Sequence, residues 1–543
     1  MGIPLYFHTV AKTYNGILHT CKPRKCDWYF FDYNGVIHHG AQALISQRNM
    51  ERVEDSDMED FERSIFEQVW DYTTKCVTIA DPQLSVGIYI DGVAPVAKIN
   101  QQRKRRYLSI KRHKLLGTEP VWDTNAISPG TTFMIRLQAF LRSRIQNSNY
   151  DTRFVLSGAD EPGEGEHKIF AHIASVPMTE TIFIHGLDAD LIMLSLMSHH
   201  PNIVLMREPT WPYNEESTQD GFIYLDIDRF RFGLLSHLKD RYEWCIPQAA
   251  LDDTFCGEAK QLIETYVVCC FLLGNDFLPH APTMSLKKNG YDELLRAARH
   301  AFETFPDGAI VENKVFMPFL TEVISGLSTM EDEKLQKINE EYMHRRPSLK
   351  ADKADAYPLL DETKDKLASH IHNSLQPKRW RSLYYKHLFF SKLNDTSVVA
   401  KACEYFVTGL CWTYAYYKRL PKPYDWYYPY GYPPTLLDLK NYLQGTAPQV
   451  WDDMQGEWAK NAHLNQRFLE PAIQLLCILP IESSQLIPHR YRCWMTDHKY
   501  GCVYMYPSSY PIQTYLQTHL WECVPVLPPL DIPWIQECAK KMA

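Results

Sequence analysis

Seven acidic residues of this sequence stand in short, well-marked settings that suit metal-ion chemistry. They are Asp32, Asp91, Glu164, Glu166, Asp188, Asp190 and Asp276. A single acid of this kind is more simply a turn residue or a helix cap, but seven that converge would repel one another without cations. Carboxylate ligands without cysteine or histidine favour Mg²⁺ or Mn²⁺. Two such ions can activate water and stabilise the leaving oxygen of a phosphodiester, so the set predicts a two-metal nuclease, with caps and surface acids as the alternative.

A basic segment from Lys98 to Arg106 begins seven residues after Asp91 and forms a second candidate site. If the segment is a helix, four polar side chains share one face: Lys98, Gln102, Arg105 and Arg106. A lysine, an amide and two guanidiniums suit a terminal phosphate, because arginine can bind two phosphate oxygens at once. A solvated basic helix and a nuclear-localisation run are the alternatives. The closeness of the segment to Asp91 favours a phosphate site that opens beside the metal site.

Four apolar segments that resemble buried strands lead to these acids. Trp28–Phe31 runs into Asp32, Val86–Ile90 into Asp91, Phe154–Leu156 into an acidic loop, and Thr181–Ile184 towards Asp188. Helical patterns such as Phe61–Lys75 and Thr131–Gln146 separate them. Strands that alternate with helices predict an α/β fold with a mostly parallel central sheet. In such sheets the functional site lies at the carboxyl ends of the strands.

The chain has 543 residues, more than one hydrophobic core usually holds, so we expect at least two units. We predict a nuclease domain over residues 1–325, a charged connector over 326–376, a second region over 377–530 and a C-terminal tail over 531–543. The second region is rich in tyrosine and tryptophan, which are usually core or interface residues. We therefore expect it to be helical and packed on the first domain.

Charge and cysteine content limit the classes of function. The net charge of −8 does not indicate a nonspecific duplex binder, but metal ions can reverse the local sign at a nuclease site. The 14 cysteines lack regular spacing, which indicates reduced thiols. The sequence shows no secretion signal, and no apolar run reaches the roughly 18 residues of a membrane span. We expect a cytoplasmic protein, with a nuclear location left open.

These motifs resemble those of the XRN family of 5′→3′ exoribonucleases. The similar segments are Met1–Pro4, Asp32–His38, Ile90–Pro95, Ala97–Arg106, Pro162–Lys168, Gly186–Leu194, Leu273–His280, Trp426–Tyr432 and Leu475–Arg492. They stand in family order, and the resemblance runs from residue 1 to about residue 530. Val96, where the family has a basic residue, and Tyr33, where it has methionine, are departures. The short connector and the missing C-terminal extension and zinc knuckle favour a compact, core-only member, such as a viral genome would encode.

The resemblance implies a PIN/flap-nuclease-like core that the second region completes. The seven acids would hold two Mg²⁺ ions, for which Mn²⁺ can substitute. Lys98, Gln102, Arg105 and Arg106 would hold a 5′-phosphate, while His38 and one aromatic residue would enclose the first base. For that aromatic residue we favour Trp426 over Trp412.

The implied protein is a monomeric enzyme of RNA decay without a membrane partner. It would degrade single-stranded 5′-monophosphate RNA processively to 5′-mononucleotides. A structure-specific 5′ flap DNA nuclease is the alternative enzyme, and the aromatic second region and the basic helix disfavour it. A catalytically inactive RNA-binding scaffold is the alternative from another class, and the presence of all seven acids disfavours it.

Overall fold

A computed structural model of the chain describes residues 3, 5–47, 52–148, 152–186, 188–209, 215–238, 253–344, 367, 377–461, 468–500, 502–517 and 519–542. Among these residues the largest sheet has seven strands in the order β1-β7-β6-β5-β2-β3-β4. They are β1 (Leu18–His19), β2 (Trp28–Asp32), β3 (Ser85–Tyr89), β4 (Arg153–Ser157), β5 (Ile182–His185), β6 (Ile203–Arg207) and β7 (Ile223–Asp226). The strands from β6 through β4 run parallel, and β7 is antiparallel to both of its neighbours. The predicted α/β class with a mostly parallel sheet is confirmed.

Helices cover both faces of this sheet. One face carries α2 (Tyr33–Gln47), α3 (Met58–Ala80) and α5 (Thr132–Gln146), and the other carries α1 (Tyr6–Thr13), α6 (Gly165–Ile173), α7 (Ala189–Ser198), α8 (Ile227–Leu238) and α9 (Asp253–Cys270). Tyr29 and Phe31 of β2 pack with the first set, and Phe30 packs with the second. This division follows from the strand itself, in which successive side chains point to opposite faces.

The second half of the chain is helical and shares its core with the sheet. Its helices are α10 (Gly290–Thr304), α11 (Met317–Ser328), α12 (Glu331–His344), α13 (Pro377–Leu388), α14 (Thr396–Tyr417), α15 (Leu436–Gly445), α16 (Gln449–Lys460), α17 (Pro471–Ile478), α18 (His489–Thr496) and α19 (Ile532–Met542). Two hairpins, β8–β9 (Ile310–Val311 and Lys314–Val315) and β10–β11 (Ile512–Gln513 and Val524–Pro525), complete it. Cys403 and Leu410 of α14 belong to the same apolar cluster as Phe30 of the sheet.

The basic segment forms one long helix, α4 (Val96–Leu116), between the two halves. Ile99 of α4 packs in one cluster with Leu475 and Ile478 of α17. The backbone N–H of Val96 donates to the carbonyl of Tyr424 at 3.0 Å. The helix that carries the predicted phosphate ligands is therefore held by the second half of the chain.

The predicted connector contains the end of α11 and an ordered helix, α12. Glu331, at its start, is buried, and its carboxylate accepts the backbone N–H groups of Leu436 at 2.7 Å and Leu437 at 3.1 Å. The first N–H groups of a helix have no partner within it, so Glu331 caps α15. Residues 345–366 and 368–376 of the connector lie outside the described residues, and the domain boundaries at 325 and 377 stay predictions. None of the described helices combines the length and apolar character that a membrane crossing requires.

Candidate active site

The sheet topology brings the predicted acids to one edge. Asp32 ends β2, Asp91 follows β3 by two residues, and Asp188 lies just after β5 at the start of α7. Strands β3, β2 and β5 are parallel neighbours, so their carboxyl ends lie side by side. Glu164 and Glu166 follow β4 at the start of α6.

A close backbone contact fixes the loop before α6 against two of these acids. The N–H of Gly165 donates to Asp91 Oδ1 at 2.7 Å. A Cβ atom at Gly165 would lie 3.1 Å from Asp32 Oδ1 and 2.8 Å from the carbonyl oxygen of Tyr89, so the approach requires glycine. The amide of Asn34 holds the other oxygen of Asp91 at 3.0 Å. Asp91 thus has a fixed orientation between two loops.

The carboxylates are close enough to perturb one another. Burial raises the pKa of Asp32 well above its usual range, and the charges of Asp91 and Asp188 raise it further. Burial, followed by the charge of Asp276, raises the pKa of Asp190 to about 7. Neighbouring carboxylates disfavour each other's charged forms, so a divalent cation among them would stabilise the ionised cluster.

Lys98 of α4 reaches into this cluster. Its ammonium forms ion pairs with Glu164 and, at 2.8 Å, with Asp276 Oδ2. Burial alone would raise the pKa of Asp276, but the charge and hydrogen bond of Lys98, together with other nearby positive groups such as Arg105, hold that pKa well below its usual range. Lys98, predicted on spacing as a phosphate ligand, therefore lies between two of the predicted metal ligands.

Asp276 is held in place by its own loop. The side-chain oxygen of Asn275 accepts the backbone N–H groups of Phe277 and Leu278, both at 2.8 Å. The ring of Phe277 packs edge-on against Trp412 of α14, with ring centroids 5.0 Å apart. The second half of the chain thereby positions an acid of the first.

The most compact group of ligand atoms in the described part of the chain is Glu164, Glu166 and His167, whose atoms lie within 4.8 Å of one another. Carboxylate oxygens suit Mg²⁺ or Mn²⁺, whereas an imidazole ligand is more typical of zinc, copper, iron or nickel. The donor chemistry of this group therefore fits a divalent ion. His167 is not among the residues predicted from sequence, although it directly follows Glu166.

Two adjacent tyrosines of α14 complete the cluster. Tyr416 donates its hydroxyl to Glu164, and Tyr417 donates its hydroxyl to Asp190 Oδ1 at 3.0 Å. Both tyrosines are buried. These hydrogen bonds orient two acids from outside the predicted nuclease domain. The tyrosines are likewise absent from the predicted site, and a Tyr-Tyr pair at the end of an apolar helix is only a weak sequence signal.

The predicted phosphate face divides into buried and exposed parts. Gln102 and Arg106 are buried, whereas Arg105 is exposed. Arg106 donates one N–H to Ser128 Oγ at 2.6 Å, while its Nε and its second terminal nitrogen have no hydrogen-bond partner among the described residues. Unsatisfied buried guanidinium donors are costly, and a phosphate would satisfy them.

His38 lies near these arginines. Part of its imidazole ring is open to solvent, but protein atoms surround the rest of it. This desolvation, followed by the charges of Arg105 and Arg106, lowers the pKa of His38 to about 4. The imidazole is therefore neutral at physiological pH. A neutral ring beside two cations suits the stacking role that the resemblance assigns to His38.

The two candidate tryptophans differ in exposure. Trp412 is fully buried, and its indole N–H donates to the carbonyl of Pro423 at 2.7 Å. Trp426 is half-buried and stacks on Trp412 with ring centroids 5.1 Å apart, and its own indole nitrogen has no hydrogen-bond partner in the part of the chain that the structure describes. Trp426 is therefore the ring with surface available for a base.

Replacing Trp426 with alanine is expected to weaken RNA binding by about 1–3 kcal/mol, the usual value of one base–aromatic stack. Trp412→Ala should instead lower the melting temperature, because deleting a buried tryptophan costs about 3–5 kcal/mol of folding free energy. Fluorescence anisotropy with single-stranded RNA, paired with thermal melting, separates the two effects. Trp534→Ala, a half-buried tryptophan in the separate apolar cluster around α17, is the matched control. Unchanged RNA affinity in Trp426→Ala would show that the base stacks elsewhere.

Comparisons with known proteins agree with this geometry. Residues 1–209 match the family described as "XRN 5'-3' exonuclease N-terminus", and residues 258–373 and 322–543 match the one described as "Xrn1 helical domain". Human "5'-3' exoribonuclease 1" is 26% identical over 598 aligned residues, covering 98% of this chain and 33% of the human protein. "5'-3' exoribonuclease 2" of Gallus gallus is 24% identical, covering 98% of this chain and 69% of that protein.

A third relative extends the match to fungi. "5'-3' exoribonuclease 1" of Saccharomyces cerevisiae is 23% identical, covering 98% of this chain and 42% of that protein. The chain thus spans only part of each relative's length. These relatives come from two vertebrates and a yeast, so they lend no support to a viral source. Since the family matches extend over both halves of the chain, the resemblance seen in the motifs is confirmed, and the chain belongs to the XRN family of 5′→3′ exonucleases.

Proposed function

We propose that this chain is a Mg²⁺-dependent, processive 5′→3′ exoribonuclease. It hydrolyses single-stranded 5′-monophosphate RNA to 5′-mononucleotides in RNA decay, and it acts as a monomer. Membership of an exonuclease family supports RNA as the substrate and a divalent metal ion as the cofactor. The choice of Mg²⁺, the use of two ions and the requirement for a 5′-monophosphate are our inferences from the site.

One observation carries the proposal: α4 joins the acid cluster to the unsatisfied arginine. Lys98 lies among the acids, and Arg106, two turns further along the same helix, is buried with free donors. Eight residues of helix span about 12 Å. A terminal phosphate held by Arg106 and Gln102 would therefore place the following phosphodiester towards the carboxylates.

We assign each group of site residues a distinct role in RNA hydrolysis. Divalent ions held by the seven acids would activate water and stabilise the leaving oxygen. Tyr416 and Tyr417 keep Glu164 and Asp190 in fixed orientations. Arg106 and Gln102 hold the 5′-phosphate, while the neutral ring of His38 and the indole of Trp426 enclose bases. After each mononucleotide leaves, the new 5′-phosphate occupies the same pocket, which makes the reaction processive.

A 5′ flap DNA nuclease is the competing function, since it needs a similar acidic site. The test is one assay on single-stranded 5′-monophosphate RNA and on flapped DNA of matched sequence, each with Mg²⁺ and with chelator. We expect RNA to be degraded rapidly with Mg²⁺ and not with chelator, while flapped DNA is cleaved slowly. Preferential cleavage of the flapped DNA would contradict the proposal.

The compartment is also a proposal. The eleven cysteines whose side chains the structure describes are free thiols, and nine of them are buried, which suits a reducing environment. We propose a cytoplasmic location, and a nuclear location remains the alternative. Arg103 and Arg106 are buried, which counts against an accessible nuclear-localisation run at Arg103–Arg106.

Metal activation should depend on pH with a definite sign. The pKa of Asp190 is raised to about 7, so its carboxylate is protonated below that pH. Metal ligands must be deprotonated, and one competing proton weakens metal affinity about tenfold per pH unit below the pKa. The half-saturating Mg²⁺ concentration for RNA cleavage should therefore fall about fivefold from pH 6 to pH 7 and about tenfold in all by pH 8, where it levels off. Titrations at the three pH values test this, and a constant midpoint would contradict it.

A further inference from the structure

A cavity of about 240 Å³ lies between the loop before α6 and the end of α14. Its wall contains four basic or imidazole side chains, which are His167, Lys168, Arg419 and Lys422. Lys168, Arg419 and Lys422 are cations, whereas burial holds the pKa of His167 well below its usual value, so that its ring is neutral. No carboxylate occurs among the described residues that line the cavity. In a chain with a net charge of −8, three cations around one cavity indicate a site for an anion.

Lys422 is the strongest indication of a ligand. Its side chain is only 8% exposed, and none of the described residues gives it a carboxylate partner. Its ammonium donates to the carbonyl of Leu420 at 3.2 Å and lies over the rings of Tyr416 and Tyr424, 5.1 Å and 5.7 Å from their centroids. Burying a charge is costly unless it is paired, and a bound anion would supply the missing pair.

Arg419 adds a second cation at the cavity. It follows α14 with a φ of +56°, which is uncommon for a residue other than glycine. The N–H of Arg419 donates to Tyr416 O at 3.1 Å, and the N–H of Leu420 donates to Ala415 O at 2.8 Å. These bonds close the end of the helix and fix the backbone that carries Arg419. Its exposed side chain is therefore free to contact a ligand.

One wall of the cavity belongs to the acid cluster. The ring of Tyr416 packs on His167 with centroids 3.9 Å apart, and its hydroxyl donates to Glu164. On the opposite side Tyr424 and Phe468 meet edge to face at 4.5 Å. The cavity thus combines cations, aromatic surface and direct contact with a residue that orients a predicted metal ligand.

We propose that this cavity binds the phosphate of a nucleoside 5′-monophosphate, the product that the reaction releases. The assignment rests on the proposed function. Lys422 and Arg419 suit a phosphate dianion, and the rings of Tyr424 and Phe468 suit the sugar or base. The cavity is smaller than the roughly 300–1,000 Å³ clefts that hold drug-sized ligands, so it can enclose a phosphate and part of the attached nucleoside but not a length of strand.

The test is calorimetry of the full chain with chelator present, using a 5′-mononucleotide, the matching nucleoside and inorganic phosphate. We expect the mononucleotide to bind, inorganic phosphate to bind more weakly and the nucleoside not to bind. Lys422→Met should weaken mononucleotide binding at least about tenfold, the loss expected for one charge-assisted hydrogen bond. Lys401→Met is the matched control, because Lys401 also lies over a tyrosine ring, that of Tyr405 at 6.0 Å, but is exposed and outside the cavity.

Two further variants keep the test decisive. Arg419→Ala, at an exposed position, should reproduce the loss if Lys422→Met folds poorly. Because the pocket at Arg106 could also hold a 5′-phosphate, the cavity variants are compared in an Arg106→Met background, which should itself retain binding at the cavity. Binding that survives both cavity variants in that background, binding lost in Arg106→Met alone, or equal affinity for inorganic phosphate and mononucleotide would overturn the proposal. These results are independent of RNA cleavage, so an active exonuclease without this binding would reject the product site alone.

Discussion

Replacement of Asp190 by asparagine or alanine is expected to reduce RNA cleavage at least about 1,000-fold, because metal ions contribute several kcal/mol of transition-state stabilisation. RNA should still bind, since the 5′-phosphate and base contacts lie on other residues. The asparagine keeps an oxygen that can accept the hydroxyl of Tyr417, which donates to Asp190 at 3.0 Å in the wild type. The Asp190→Asn substitution removes only the negative charge. A loss of RNA cleavage in this variant would therefore reflect weaker metal binding and not altered packing.

Three measurements decide this prediction: single-turnover cleavage at saturating Mg²⁺, RNA affinity by anisotropy and thermal melting. Removing one charge relieves repulsion with Asp276 and Asp188, so the metal-free variant should melt no lower than the wild type. Asp160→Asn is the matched control, because Asp160 is exposed and pairs with Arg142 at 3.4 Å outside the cluster. Near-normal turnover of both Asp188→Ala and Asp190→Ala would remove the two-metal proposal.

Selectivity for the 5′ end should be the second large effect. A 5′-monophosphate can pair with the free donors of Arg106, whereas a 5′-hydroxyl leaves this buried cation unpaired. A triphosphate or cap is too bulky to seat the first phosphodiester, and a misplacement of about 1 Å can cost about 100-fold in rate. We therefore expect monophosphate RNA to be degraded about 100-fold faster than hydroxyl, triphosphate or capped RNA.

Arginine variants connect this selectivity to the pocket. Arg106→Ala should reduce both the rate and the preference, and Arg105→Ala should act more weakly because Arg105 is exposed. The double variant should lose most of the preference. Arg142→Ala, a surface arginine paired with Asp160, is the control. Time courses on four RNAs that differ only at the 5′ end measure the effect, and equal rates on all four would contradict it.

The convergence of the acids could be predicted because it follows from strand order. Each of Asp32, Asp91 and Asp188 follows an apolar strand, and parallel strands end at a common edge. Sequence predicted four strands, and these became β2 to β5 with bounds shifted by one or two residues at most. The other three strands, β1, β6 and β7, carry none of the seven acids and lay outside the prediction.

Side chains that reach the site from a distant helix could not be predicted. Tyr416 and Tyr417 lie more than 200 residues from the acids they bind, and only the packing of α14 on the sheet brings them together. Helical spacing placed Lys98 on the same face as Arg106, but spacing cannot tell which neighbour each side chain meets. Lys98 in fact pairs with acids, at the end of α4 nearest the cluster.

The basic residues of α4 also have different roles that their sequence does not distinguish. Arg103 stands among basic residues that look equivalent in sequence. In the structure it is buried and donates to the carbonyls of Pro528 and Met505, both at 2.6 Å. It therefore anchors the C-terminal part of the chain to α4, while Arg106 keeps free donors for a ligand. Burial, which decides between these roles, depends on chain segments more than 400 residues away.

The most direct test of 5′→3′ exonucleolytic cleavage is to identify the first product released from RNA that carries a radioactive 5′-phosphate. With Mg²⁺ and wild-type protein, we predict that all of the early label appears as a 5′-mononucleotide, and that the rest of the strand shortens from its 5′ end. Without Mg²⁺, or with Asp190→Asn, the label should stay in full-length RNA. Label released in longer fragments, or strands that shorten from the 3′ end while the label stays in RNA, would contradict 5′→3′ exonucleolytic cleavage.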